Sequence, residues 1–224
     1  MSNLVKEESL KLAKGNKISV TTTKSYLLTK RCIDMVCSLI GLVILSIVFF
    51  VVAVLIKIED PRGKVFFKQL RVGKDGKEFY IYKFRSMASD AEERLKELLA
   101  LNEVTGAMFK MKDDPRITKV GKFIRKTSID ELPQLFNVLK GEMSLVGPRP
   151  PLPREVAEYS NYDKQRLLVL PGCTGLWQVS GRSNIGFSEM VELDLQYIRE
   201  RTIFFDMKII LRTVLVLFGS KNAF

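Results

Sequence analysis

The chain of 224 residues has no histidine, only three cysteines and a single tryptophan. Without an imidazole there can be no nucleophile activated by a Ser-His or Cys-His pair, no histidine-ligated metal and no histidine general base. Any catalysis must run on carboxylates, Lys, Arg, Tyr, Cys or a hard metal ion. Cys32, Cys37 and Cys173 have neither the paired spacing of a zinc site nor the density of a disulfide framework, which fits a reducing cytoplasm. No Gly-Lys-Ser/Thr loop is present to cradle nucleotide phosphates, which argues against an ATPase. Internal repeats and low-complexity tracts are also missing.

Positive charge is in excess. The formal net charge of +11 implies anionic company: nucleic acid, an anionic lipid surface or phosphorylated substrates. The last two lead because of an apolar run, Met35 to Ile56, of 22 uncharged residues. An apolar bilayer core needs roughly 20 helical residues to cross. Lys30 and Arg31 precede the run, and Lys57, Arg62, Lys64 and Lys68 follow it. Positive charge normally marks the cytoplasmic side, so flanks of one sign leave two readings. Either a weak bias decides a true crossing, or the helix enters and leaves by the same leaflet. No proline lies in the run, and Ser46, near its middle, is the best-placed bending point because its hydroxyl can bond back one turn.

The remaining pattern predicts three parts. Residues 1–29 are polar and expected to be mobile apart from a short interfacial helix over 4–13, residues 30–58 form the membrane-embedded helix, and residues 59–224 form one catalytic domain. The fold class expected is α+β, mainly helical with one small β-hairpin. The hairpin pairs Val65–Val72 with Phe79–Phe84 around Asp75-Gly76, a dipeptide suited to the positive φ of a tight turn. Helices are expected from Ser89, over 119–126, from about Asp130 to Gly141, and over 154–169, 188–201 and 206–218. Gly147 to Pro153 must be extended, because each proline fixes its φ and displaces its predecessor from helical space. Asp113-Asp114-Pro115 reads as a turn, and Cys173 as a small packed residue.

Asp130 and Glu131 open a helix. Pro133 is cheapest in a first turn, which places the start at or just before Asp130. The ordinary role of such a pair is capping, and Ser128 with Glu131 spells a capping box. The same position is expected to lower the pKa of Asp130 and keep it ionised, as a nucleophile or magnesium ligand requires. Lys83, Arg85, Arg125, Arg149 and Arg182 are the cations available to phosphate oxygens.

Several motifs in order carry a resemblance. They are Lys30-Arg31-x-x-Asp34, Tyr82-Lys83-Phe84-Arg85-Ser86-Met87, Asp130 to Ser144, Gly147-Pro148-Arg149-Pro150, and Pro171-Gly172-x-Thr174-Gly175 through Gly181-Arg182. The chain resembles the bacterial sugar transferases known as monotopic phosphoglycosyl transferases, in their small catalytic-core form. The resemblance implies transfer of a sugar-1-phosphate from a UDP-sugar to undecaprenyl phosphate, with release of UMP, as the initiating membrane step of capsule, exopolysaccharide or related glycan synthesis. It implies that Asp130 is the nucleophile of a covalent phosphosugar intermediate and a metal ligand, and that Glu131 assists metal binding or activates the lipid phosphate. It further implies Mg2+ as cofactor, membrane lipid rather than nucleic acid as surroundings, and a re-entrant helix that leaves the catalytic domain on the cytoplasmic face of the bacterial cell membrane. A homo-oligomer is left open. Where the family breaks its helix at Ser-Pro, this chain has Ser46-Ile47. The competing reading is a non-enzymatic, membrane-anchored basic module that binds anionic lipid or nucleic acid and needs no particular carboxylate.

Overall fold

The computed structural model describes residue 18, residues 23–98, residue 111, residues 114–181 and residues 186–219, without the side chains of 92, 95–97 and 217–219. The helix expected over 4–13 lies outside the described residues. Thr23 opens α1 (Lys24–Ile44), its hydroxyl accepting from the Tyr26 amide at 3.2 Å, so the helix starts ahead of Lys30. Leu45, at φ −83° and ψ 0°, separates α1 from α2 (Ser46–Glu59), and the two helices are bent by 57°. Ser46 Oγ donates to the Val43 carbonyl at 2.7 Å, so the bend falls at the expected serine without a proline. Among the described residues no single helix is long and apolar enough to cross a membrane, whereas the bent pair together has the length and composition.

The first half of α1 is fastened to the rest of the molecule. Lys30 Nζ and the Tyr26 hydroxyl reach Asp206 Oδ2 at 2.8 and 3.1 Å, and the Tyr197 hydroxyl lies 2.7 Å from Asp206 Oδ1. Arg31 donates to the carbonyls of Val138 and Leu139 at 2.6 and 2.7 Å, and the buried Asp34 accepts from the Leu145 amide at 3.0 Å. The Lys30-Arg31-x-x-Asp34 motif is therefore a clasp. Beyond Ser38 the pair turns apolar side chains outward, with Val43, Ile44, Ile47 and Phe50 exposed. One face of α2 is covered, where Val52 and Ile56 pack with Phe84 and Ile124.

β1 (Phe66–Val72) and β2 (Glu78–Phe84) form the expected antiparallel hairpin, with Asp75 at φ 56° and Gly76 at φ 78° in its turn. α3 (Ala91–Leu98) and α4 (Lys119–Lys126) follow, the latter capped by the Thr118 hydroxyl. After a 3-10 turn over Ile129–Glu131 comes α5 (Gln134–Lys140), which starts at Gln134 rather than near Asp130 as expected and stops, as expected, at Gly141 with φ 80°. Two three-residue strands, β3 (Ser144–Val146) and β4 (Gly172–Thr174), form a parallel pair that the sequence did not announce. Glycine is needed at 172, where a Cβ would meet the Gly147 amide nitrogen at 2.0 Å.

The helix expected over 154–169 is a correction. α6 (Pro153–Ala157) ends early, and Asp163–Leu168 is a separate 3-10 segment. Ser160 and Asp163 cap one another, with the Ser160 amide on Asp163 Oδ2 at 2.9 Å and the Asp163 amide on Ser160 Oγ at 3.2 Å, which starts a new turn. α7 (Leu176–Ser180), α8 (Phe187–Glu200) and α9 (Ile203–Gly219) are the last elements of the described residues. Val146, Leu176, Val191, Leu195 and Ile209 form the core beneath them. The architecture is mostly helical with a small antiparallel sheet, in line with the expected class.

Candidate active site

The site forms where α4 hands over to α5. Glu59, at the end of α2, accepts from the Lys119 and Val120 amides at 2.7 and 3.0 Å and so fixes the start of α4. Arg125 lies in the last turn of α4, and its Nε donates to Ser86 Oγ at 2.9 Å. Ser128 then takes a left-handed conformation, φ 55° and ψ 17°, and its side chain caps nothing. The capping box expected from Ser128 and Glu131 is thus not made. Glu131 Oε1 instead accepts from Lys83 Nζ at 2.6 Å.

Lys83 is delivered there by Asn137. Fully buried on α5, Asn137 accepts from the Tyr82 amide at 3.1 Å and donates to the Tyr80 carbonyl at 2.7 Å, so it binds the free edge of β2 as a neighbouring strand would. Ile81 packs with Val138 of α5, and Phe84 packs with Val52, Ile56 and Ile124, so the same strand is anchored on both faces. A side chain from the helix thereby fixes the strand over the Asp130–Glu131 turn.

The two carboxylates differ in environment. Asp130 is 8 % exposed, whereas the Glu131 side chain keeps 45 % of its surface. Burial pushes Asp130 up to about 6, with the Glu131 charge adding to the rise and Lys83 and Arg125 opposing it. The expected lowering at a helix start is corrected. A three-residue 3-10 turn carries little dipole, and loss of water outweighs it. For Glu131 the crowding of protein around it also favours the neutral form. The charges of Lys83 and Arg149, with the Lys83 hydrogen bond, outweigh that and hold the group below the usual range. A neighbouring pair pushed apart in this way is the arrangement that assigns two carboxylates two roles.

The remaining expected cations separate. Arg149 is exposed between Pro148 and Pro150, close enough for its charge to act on Glu131. Arg85 turns to the end of α2, where Nη1 meets Asp60 Oδ2 at 2.6 Å, so the structure does not bring it to the Asp130 turn. Arg182 lies outside the described residues, as does Asp113. Asp114 is buried in a bidentate pair with Arg116, consistent with a turn. Cys173 packs against the cluster of Phe79, Ile81, Val138 and Met143, and burial pushes its thiol up. Sequence reasoning missed the roles of Glu59 and Asn137, whose partners lie far along the chain.

No group of three or more His, Cys, Asp or Glu side chains gathers among the described residues. Two adjacent carboxylates nevertheless fit Mg2+, which commonly takes one or two carboxylates and completes its shell with waters and substrate phosphates.

A model of the bacterial sugar transferase family matches residues 25–220. The chain belongs to this family. It is 55 % identical over 199 residues to the galactosyl transferase CpsE of Streptococcus agalactiae, covering 88 % of this chain and 44 % of that protein. It is 45 % identical over 199 residues to the undecaprenyl-phosphate galactose phosphotransferase of Salmonella typhimurium, covering 87 % and 41 %. The exopolysaccharide production protein ExoY of Rhizobium meliloti is 37 % identical over 201 residues, and 88 % of each chain is covered. The chain thus spans about half the length of the first two relatives and most of the third.

Proposed function

We propose that the protein transfers a sugar-1-phosphate from a UDP-sugar to undecaprenyl phosphate, releasing UMP, as the initiating membrane step of capsular, exopolysaccharide or related glycan synthesis. The observation that carries this reading is Asp130, a buried carboxylate beside the Glu131–Lys83 pair and Arg125 in a chain without histidine. The names of the Salmonella and Rhizobium relatives support the substrate class and the pathway.

In this reading Asp130 attacks the phosphorus that bears the sugar, and the bond from that phosphorus to the UMP oxygen breaks, its electron pair leaving with UMP. An oxygen of the lipid phosphate then attacks the same phosphorus and returns Asp130 as a carboxylate. Lys83, Arg125 and Arg149 offset the charge on the phosphoryl oxygens, and burial removes the water that would intercept the intermediate. Mg2+, held by Asp130 with help from Glu131, would neutralise the substrate phosphates. Purified protein given a panel of UDP-sugars, undecaprenyl phosphate and Mg2+ should release UMP. Asp130→Asn should lower that release by more than about a thousandfold while the protein still folds. Near-wild-type turnover of the variant would remove the covalent route, whereas absence of UMP release from the wild type would favour the basic-module reading.

The helix pair is read as re-entering the cytoplasmic leaflet. The 57° bend, the exposed apolar flank beyond Ser38 and the cations on both sides support this topology. A Ser2→Cys probe, in a variant without the native cysteines, should resist an impermeant thiol reagent until cells are permeabilised; labelling of intact cells would establish a crossing.

A further inference from the structure

Arg71, the residue before the last of β1, has 5 % of its surface exposed, and among the described residues it has no carboxylate within ion-pair reach. Its Nη1 donates to the Pro150 carbonyl at 2.9 Å and its Nη2 to Gln69 Oε1 at 2.6 Å, while Nε is buried without a partner among the described residues. The next residue reinforces the grip, since the Val72 amide donates to the Pro151 carbonyl at 2.9 Å. Further along, Glu155 Oε2 accepts from the Leu152 amide at 2.8 Å. The segment directly after Arg149 is thus held at successive positions.

A buried cation without a carboxylate is costly, and an apolar side chain of similar length would fill the space at less cost. Burial first, then the Arg149 charge, pull Arg71 down to about 10, and the charges of Glu155 and Glu131 offset only part of that. The guanidinium holds the Pro150 carbonyl, and its charge adds a smaller contribution to keeping Glu131 ionised. Pro148 and Pro150 already limit the backbone around Arg149, so fixing the Pro150 carbonyl fixes the point from which Arg149 projects.

We propose that Arg71 is a positioning residue of the catalytic site: sealed from substrate itself, it holds Arg149 beside Glu131, in reach of the donor diphosphate. The proposal rests on the transferase reading above. In the full chain, Arg71→Met should lower kcat/KM for the UDP-sugar by roughly 10- to 100-fold, the scale expected for a misplaced phosphate ligand. Its melting temperature should not fall. Arg71→Lys, which keeps charge but not the fork, should recover only part of the loss. Combined with Arg149→Met, Arg71→Met should add less than about threefold to the loss from Arg149→Met alone, because the two act as one unit. UDP affinity by calorimetry, measured on the same proteins, should show the same lack of additivity without any turnover. Wild-type kinetics in Arg71→Met, losses that multiply in the double variant, or a loss that tracks a fall in melting temperature would overturn the proposal. Wild-type protein that binds UDP but releases no UMP would overturn the transferase reading alone, and the UDP affinities would then decide the role of Arg71. Failure of the wild type to bind UDP would overturn both.

Discussion

Asp130 and Asp194 are both buried aspartates that burial pushes up to about 6, and they differ in what stands opposite. Asp194 Oδ2 receives Arg166 Nε and Nη2 at 2.8 and 2.6 Å, and Arg166 Nη1 goes on to the Tyr159 hydroxyl at 2.8 Å. That group is spent on holding α8 to the 3-10 segment over 163–168. The cations nearest Asp130 are engaged elsewhere, Lys83 with Glu131 and Arg125 with Ser86, so they act on Asp130 through their charge. A shifted acidity therefore marks burial in both cases, and a site only where no cation closes directly on the buried carboxylate.

The largest effects should invert between the two positions. Asp130→Asn should remove activity and preserve the fold, whereas Asp194→Ala should leave Arg166 buried without its partner and cost about 3–5 kcal/mol of stability. In a chain of this size that lowers the melting temperature by on the order of 10 °C. UMP release per folded Asp194→Ala molecule, assayed well below its melting point, should stay within about threefold of wild type. Loss of turnover in folded Asp194→Ala would erase the distinction.

A smaller effect should appear in the pH dependence. Asp130 sits near 6 in the fold against an ordinary value near 4, so folding favours its neutral form. That contribution is whole below about pH 4 and is lost as pH rises through 6. Asp130→Asn, always neutral, should therefore gain stability over wild type above pH 6, by on the order of 3 kcal/mol, and match it near pH 4. Activity should run the other way. UMP release in the wild type should rise through pH 6 as the nucleophile ionises, and Asp194→Ala should keep that limb. Parallel pH scans of melting temperature and of kcat/KM check both, and disappearance of the limb in Asp194→Ala would assign it to the wrong aspartate.

What was legible in the sequence was local. Asp75-Gly76 turned the hairpin, Gly141 ended α5, α4 spans 119–126 as expected, and Ser46 bent the apolar run with its own hydroxyl. Each of these depends on contacts within about one turn of chain. Features that depend on distant partners were not visible. The pairing of β3 with β4 needs two glycine segments, at Gly147 and Gly172, brought together from well-separated parts of the chain. Arg71 looks like any strand cation until the Pro150 carbonyl arrives opposite it. The acidity of Asp130 was expected to fall because a helix start is readable in sequence, whereas the burial that raises it comes from packing around the turn.

The most direct test of Asp130 as nucleophile is the intact mass of the protein after incubation with a UDP-sugar and Mg2+ in the absence of lipid phosphate. The wild type should gain the mass of one sugar phosphate, mapped by peptide fragmentation to Asp130 and lost again when undecaprenyl phosphate is added. Asp130→Asn should gain nothing. Prompt UMP release with no adduct on the wild type, or the same adduct on Asp130→Asn, would contradict the account.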